Sequence, residues 1–171
     1  TGWSAGNGNI TVANSRATVT ATSTSASVDI RQSLSLVVNE KYYLSVVLGK
    51  IASTLSPLRV HLGALDNYSN VKLFGPGALP SERVSLVTTP TLSDAYFDIK
   101  MDNSGGVVGN AFFVERIIVV NLTATFGAGN EPTAERMDGI MAKFTNSWFN
   151  GTANLFRAKW TLNELRRLDS E

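Results

Sequence analysis

The segment Phe126-Gly-Ala-Gly-Asn-Glu-Pro-Thr133 divides the chain into two parts of different character. The most apolar run of the sequence, from Phe112 to Phe126, leads directly into it and predicts a long β-strand. Its two glycines permit positive φ at a tight corner, and Pro132 is tolerated near the start of a helix. The sequence therefore predicts that a β-sandwich closes at this corner and that a helix is laid across it.

A short helix is predicted directly after the corner. Thr133 suits the N-cap position because its hydroxyl can accept a hydrogen bond from a backbone N–H of the first turn. A capping box would place Glu or Gln at position 136, where this chain has Arg136, so we expect a weaker start. One apolar stripe follows at helical spacing, formed by Met137, Ile140, Met141 and Phe144.

Upstream of the corner, short segments alternate between apolar and polar residues, which is typical of half-buried strands. In Leu58–Leu62, for example, Arg59 and His61 alternate with three apolar residues. Together with strands marked by apolar, aromatic or β-branched content, about nine predicted strands at regular spacing, with no helix between them, favour an antiparallel sandwich over βαβ units. The segments are Ile10–Val12, Arg16–Thr22, Ser27–Leu34, Tyr42–Leu48, Leu58–Leu62, Val71–Phe74, Val84–Thr88, Tyr96–Met101 and Phe112–Phe126.

The composition limits the classes of function that fit the chain. Its 171 residues suit one domain with a substantial core. The net charge of +1 provides no overall field that would hold nucleic acid or a membrane surface. The absence of cysteine excludes disulfides, thiolate metal sites and cysteine nucleophiles. No apolar run approaches the ~20 residues that span a bilayer, and because the chain begins at Thr1, we expect a longer protein.

The corner also carries a resemblance to a known family. Asn121-Leu-Thr-Ala-Thr-Phe-Gly-Ala-Gly-Asn-Glu-Pro-Thr133, the helix after it and Asn146-Ser-Trp-Phe-Asn-Gly-Thr152 together resemble a module of phage and prophage tail and tail-fibre proteins. The first half, with Gly2-Trp3 and Lys41-Tyr-Tyr-Leu-Ser-Val-Val-Leu48, resembles carbohydrate-binding modules more generally. The resemblance implies an all-β, galactose-binding-like jelly roll over residues 1–152.

A second helix is predicted near the C-terminus. Thr161-Leu-Asn-Glu164 is a complete capping box, and Trp160 with Leu165 can form a hydrophobic staple around it. We therefore expect residues 153–171 to form a helical extension outside the jelly roll. This extension is either a linker to a next domain or an oligomerisation segment.

The family resemblance implies a function for the chain. It would be a non-catalytic receptor-binding module of a phage tail, located on the virion, which adheres to a host cell-surface glycan. Weak single sites of this kind gain strength from multivalency, so we expect other tail-protein subunits as partners and a homo-oligomer, with a trimer as the family's setting suggests. Two alternatives remain open: a structural spacer or assembly module without a ligand, and an accessory domain of a cell-wall- or polysaccharide-degrading enzyme.

A sugar site needs an aromatic ring for stacking beside groups that hydrogen-bond to hydroxyls. Strand alternation places such a set away from the core, and we expect its members to share one exposed concave face: Tyr43, Arg59, His61, Tyr96, Asp98 and Lys100, with Asp29 and Arg31 nearby in register. A second candidate set lies in a loop, at Asp66, Asn67 and Tyr68. The alternative for the strand set is a solvated face with cross-strand ion pairs. Trp3 and Trp148 are expected to pack at the ends of the sandwich.

Catalysis is not predicted. His61 is the only histidine, and no nucleophile-elbow motif accompanies it. Asp29, Asp66, Asp94, Asp98 and Glu115 could supply a glycosidase pair, but the sequence places no two of them at the required separation. Gly127-Ala-Gly129 lacks the remaining elements of a phosphate-binding loop.

A metal site is left open. Jelly rolls of the family that the chain resembles often hold a structural calcium, which prefers oxygen ligands. The loop oxygens available for it are those of Asp66, Asn67, Asp94 and Asp102, and their spacing defines no geometry.

Overall fold

The computed structural model of the protein describes residues 3–24, 27–51, 57–63, 71–74, 79–91, 94–103 and 106–142. Ten strands lie in these ranges: β1 (Ser4–Gly6), β2 (Gly8–Ala13), β3 (Arg16–Ala21), β4 (Val28–Ser35), β5 (Tyr42–Lys50), β6 (Leu58–Gly63), β7 (Val71–Phe74), β8 (Glu82–Thr88), β9 (Asp94–Met101) and β10 (Ala111–Asn121). Two helices follow β10 within the described residues, α1 (Leu122–Phe126) and α2 (Ala134–Ala142).

The strands form two five-stranded antiparallel sheets. The first sheet has the order β1-β4-β9-β6-β7, and the second sheet has the order β2-β3-β10-β5-β8. The predicted antiparallel jelly-roll sandwich is therefore confirmed. Strand β1 was not predicted, because Ser4–Gly6 has little β-propensity and is held only by its pairing with β4.

The main core lies between the two sheets, and the alternation of the strands builds it. In β3, for example, Ala17, Val19 and Ala21 are buried while the residues between them are half-buried on the outer face. The first sheet contributes Val28, Ile30, Leu58, Val60, Leu62, Phe97, Ile99 and Met101. Each large apolar side chain that becomes fully buried contributes about 1.5–3 kcal/mol. Trp3 packs edge-on against Phe97, with ring centroids 5.7 Å apart, which confirms its predicted structural role.

The predicted strand Phe112–Phe126 is wrong in its last five residues, Leu122–Phe126, which form the helix α1. Asn121 ends β10 because its side chain accepts a hydrogen bond from the Ala124 backbone N–H at 2.9 Å and so caps a helix. The Thr125 hydroxyl bonds back to the Asn121 carbonyl at 2.6 Å. A β-bulge between Glu115 and Ile118 also reverses which residues of β10 face the core.

The corner after α1 is fixed by a single carboxylate. Gly127 and Gly129 have φ of 92° and 84°, a conformation that suits glycine. The Glu131 carboxylate accepts hydrogen bonds from the Gly129 N–H and the Thr123 hydroxyl, both at 2.9 Å, and pairs with Lys41 at 3.3 Å. Its own backbone N–H, then Thr123, Lys41 and Gly129, lower the pKa of the Glu131 carboxyl from 4.5 to about 2.

The helices cover part of the outer face of the second sheet. Thr133 accepts a hydrogen bond from the Arg136 backbone N–H at 3.3 Å, which confirms the predicted N-cap of α2. The apolar stripe of α2 is buried against the sheet in a second core, here called the helix cluster: Tyr43, Leu122, Met137, Ile140 and Met141, flanked by Val87, Ile118, Val120 and Phe126.

Several predictions concern residues outside the described ranges. These are Phe144 of the apolar stripe, Trp148, the capping box at Thr161–Glu164 and the division at residues 152 and 153. Neither helix of the described part is long and apolar enough to span a membrane.

Candidate functional site

The outer face of the first sheet collects most of the predicted site residues in three rows. Strand register aligns β4, β9 and β6, so that each row contains one residue from each strand. The rows are Ser33–Tyr96–Gly63, Arg31–Asp98–His61 and Asp29–Lys100–Arg59. We call these nine residues, together with Asp102 directly after β9, the first-sheet face. Five of the six residues of the predicted strand set are thus brought together by strand register: Arg59, His61, Tyr96, Asp98 and Lys100.

The charges on this face are balanced among the described residues. Arg31 Nε lies 3.0 Å from Asp29 Oδ2, within one strand. Arg59 Nη2 lies 4.0 Å from Asp102 Oδ2, which follows β9 at the end of the same face. With Lys100 and Asp98 included, the described part of the face carries as many carboxylates as cationic side chains.

The rows differ in how much surface they expose. His61, Asp98 and Asp29 are only 2%, 5% and 8% exposed, although they point away from the main core. In the first row, Ser33 is exposed and Tyr96 is half-buried. Gly63 has no side chain, and a Cβ there would lie 3.3 Å from His61 Nε2, so the imidazole leans along β6 towards this row.

Tyr43 was predicted to share this face, and the structure contradicts that prediction. Tyr43 does point away from the main core, but it belongs to β5 of the second sheet and is fully buried in the helix cluster. Its hydroxyl donates to Asp138 Oδ1 at 2.6 Å, and Ser85 donates to the other carboxylate oxygen. Burial and then the Asp138 hydrogen bond raise the pKa of the Tyr43 phenol far above its ordinary value.

Sequence reasoning missed part of the first-sheet face. Ser33 could be found only from register, because alternation places it outward but does not show that Tyr96 lies beside it. Gly63 and Asp102 lie at the end of their strands, where alternation gives little signal. The loop candidates Asp66, Asn67 and Tyr68 lie outside the described residues.

The remaining candidates for chemistry whose side chains are described do not assemble into one site. Glu115 belongs to the second sheet and pairs with Arg16 at 3.4 Å, far from the carboxylates of the first-sheet face. Within the described ranges, no group of three or more His, Asp or Glu side chains is placed to hold a metal ion. Asp102, one of the proposed calcium ligands, lies beside Arg59.

Comparison with known proteins gives the class of fold. No family model and no curated protein sequence matches the chain. Among solved structures, it is similar to the CBM22-1-GH10 modules of Clostridium thermocellum endo-1,4-beta-D-xylanase 10B complexed with xylohexaose, with a TM-score of 0.54 and 14% identity over 70% of this chain. It is also similar to the arabinose-bound α-L-arabinofuranosidase MgGH51, with a TM-score of 0.53 and 16% identity over 83% of this chain.

These similarities describe the fold alone. The chain spans 26% of the xylanase chain and 26% of the arabinofuranosidase chain, so it corresponds to a fraction of each. What the chain shares with them is a β-sandwich fold.

Proposed function

We propose that this chain is a non-catalytic carbohydrate-binding module that holds a glycan on its first-sheet face. The observation that carries the proposal is that Tyr96 shares one face with hydrogen-bonding side chains of β4, β9 and β6, and that the described helices α1 and α2 do not cover this face. Sugars present C–H surfaces that stack on aromatic rings and hydroxyls that need donors and acceptors. The first-sheet face supplies both.

The biological setting is also part of the proposal. The resemblance of the Phe126–Thr133 corner to phage and prophage tail modules supports a place in a tail or tail fibre, with a host cell-surface glycan as receptor. In that setting the chain is displayed in several copies on the virion. Several weak sites then act together, and their avidity exceeds the affinity of one site.

The test is a binding assay with a matched pair of double variants. The chain is displayed on a multimeric carrier and applied to a glycan array and to bacterial cell-wall polysaccharide. Tyr96→Ala/Lys100→Ala alters both ends of the first-sheet face, whereas Arg16→Ala/Thr20→Ala alters the outer face of the second sheet. We expect the first variant to lose binding and the second to keep it, with both folded by circular dichroism. Equal binding by the two variants would contradict the proposal.

A second candidate function is that of a structural spacer. The observation in its favour is the burial of His61 and Asp98, which leaves the centre of the first-sheet face little surface for a ligand. A spacer would give no binding by the folded, multimerised wild-type chain to any glycan or cell-wall fraction. That result would replace the proposal of carbohydrate binding with the spacer.

A further inference from the structure

The two ends of the first-sheet face differ in side-chain size. At one end, Tyr96 lies between Ser33 and Gly63, the two smallest residues of the face. Ser35 follows Ser33 on the same side of β4 and is exposed as well. On the β4 side, the exposed Ser33 leaves one flank of the Tyr96 ring open to a flat partner, whereas Gly63 on the β6 side is buried.

The other end is filled with long charged side chains. Asp29 leans over Gly6 of the edge strand, where an added Cβ would lie closer to its carboxylate than van der Waals contact allows. Asp29 also holds Arg31, and Asp102 accompanies Arg59. Because Asp29 is buried, a ligand that displaced Arg31 from it would leave buried charge uncompensated.

We propose that the glycan site lies at the Tyr96 end of the face and takes a neutral sugar. This inference rests on the proposed function and narrows it. The C–H face of one sugar ring stacks on Tyr96, and its hydroxyls meet those of Ser33 and Ser35. The row of Asp29, Lys100 and Arg59 lies out of reach of the ring that stacks on Tyr96, since Tyr96 and Lys100 are four residues, or about 13 Å, apart along the strand.

The chemistry of the ligand follows from the charge balance. An acidic sugar would require a cation whose charge the protein does not already neutralise. Among the described residues, the three cations of this face, Arg31, Arg59 and Lys100, are matched by Asp29, Asp98 and Asp102. A neutral ring that presents C–H groups and hydroxyls therefore fits this face, whereas a carboxylated or sulfated ring would bring unmatched negative charge.

The test separates the two ends with single variants of the full chain. Tyr96→Ala removes the stacking ring, and Ser33→Trp covers the open flank of that ring on the β4 side. Lys100→Ala alters only the charged end of the face. Thr11→Trp, at an exposed position of β2 in the second sheet, is the steric control for Ser33→Trp. The probes are neutral hexasaccharides (xylohexaose, cellohexaose and maltohexaose) and the acidic hexagalacturonate, each presented at equal density.

We expect binding to at least one neutral hexasaccharide, weakened about tenfold or more by Tyr96→Ala and by Ser33→Trp. Lys100→Ala should weaken binding less than Tyr96→Ala does, and Thr11→Trp should bind as the wild type does. Binding should change by less than about twofold between roughly 0.05 and 0.5 M salt, because uncharged partners are not screened.

Two results would overturn the inference while the proposed function stands. The first is loss of binding in Lys100→Ala with binding kept in Tyr96→Ala. The second is preference for hexagalacturonate with strong salt dependence. Absence of binding by the folded wild type to every glycan tested would instead overturn the proposed function, and this inference with it.

Discussion

The outer faces of the two sheets differ in how far they are covered, although the sequence patterns of their strands are alike. Each carries an outward-pointing tyrosine on a central strand, Tyr43 in the second sheet and Tyr96 in the first. Tyr43 is fully buried beneath α2, and its hydroxyl is bonded to Asp138. Tyr96 is half-buried among small and polar neighbours. The comparison shows that an outward tyrosine becomes a core residue when the chain itself returns to cover it.

The corner from Phe126 to Thr133 decides which face is covered. It turns the chain back over the second sheet, where α2 buries Met137, Ile140 and Met141. The Glu131 carboxylate holds this corner by joining α1 to Lys41 at the start of β5. The motif by which the chain resembles phage tail modules therefore has a structural role at the second sheet, and α1 and α2 leave the first-sheet face uncovered.

The largest expected effect tests the helix cluster. Met137→Ala should lower the free energy of unfolding by about 2–5 kcal/mol, because it leaves a cavity under α2. Arg136→Ala, at the exposed neighbouring position, should change it by less than about 0.5 kcal/mol. Denaturant titration of both variants gives the difference. Equal midpoints for the two variants would mean that α2 contributes little to the folded state.

The same substitution at the two tyrosines compares the faces directly. Tyr43→Phe removes the donor to a partly buried carboxylate and should cost about 1–3 kcal/mol. Tyr96→Phe should leave stability within about 0.5 kcal/mol of the wild type. Thermal and chemical unfolding would measure both. A larger loss in Tyr96→Phe than in Tyr43→Phe would reverse the assignment of the two faces.

The N-cap of α2 should have a smaller effect. Thr133→Ala removes the acceptor for the Arg136 N–H and should cost about 1 kcal/mol, whereas Thr133→Ser keeps an acceptor and should cost less. Unfolding curves of the two variants, recorded side by side, test this. Identical losses for alanine and serine would show that the methyl group of threonine matters and its hydroxyl does not.

The contribution of the Glu131 carboxylate to the free energy of unfolding should change with pH only in acid. Its pKa in the folded chain, about 2, lies below the ordinary 4.5, so the stability that it contributes is complete above pH 4.5. That contribution should be lost as the pH falls from 4.5 towards 2, because the folded state then takes up fewer protons than the unfolded state. Glu131→Gln should flatten the dependence of unfolding on pH in this window. Parallel pH curves for variant and wild type would contradict this role.

Local signals in the sequence were sufficient for much of the fold. Local patterns identified nine of the ten described strands: alternation in strands with one buried face, such as β3, and continuous apolar, aromatic or β-branched content in β5 and β10. The cap at Thr133 and the apolar stripe of α2 were also predicted, since both depend on residues within a few turns of one helix.

Contacts between distant parts of the chain decided the rest. The one-turn helix α1 depends on Lys41, whose backbone N–H bonds to Thr123 across 82 residues. The Tyr43 prediction failed for the same reason, since alternation shows that a side chain points out of the core but not out of which sheet. The sequence alone thus determined the strands, their buried sides and the helix after the corner. Only the tertiary structure assigned each strand to a sheet and covered one outer face, because strand pairing and helix docking join residues that no local pattern connects.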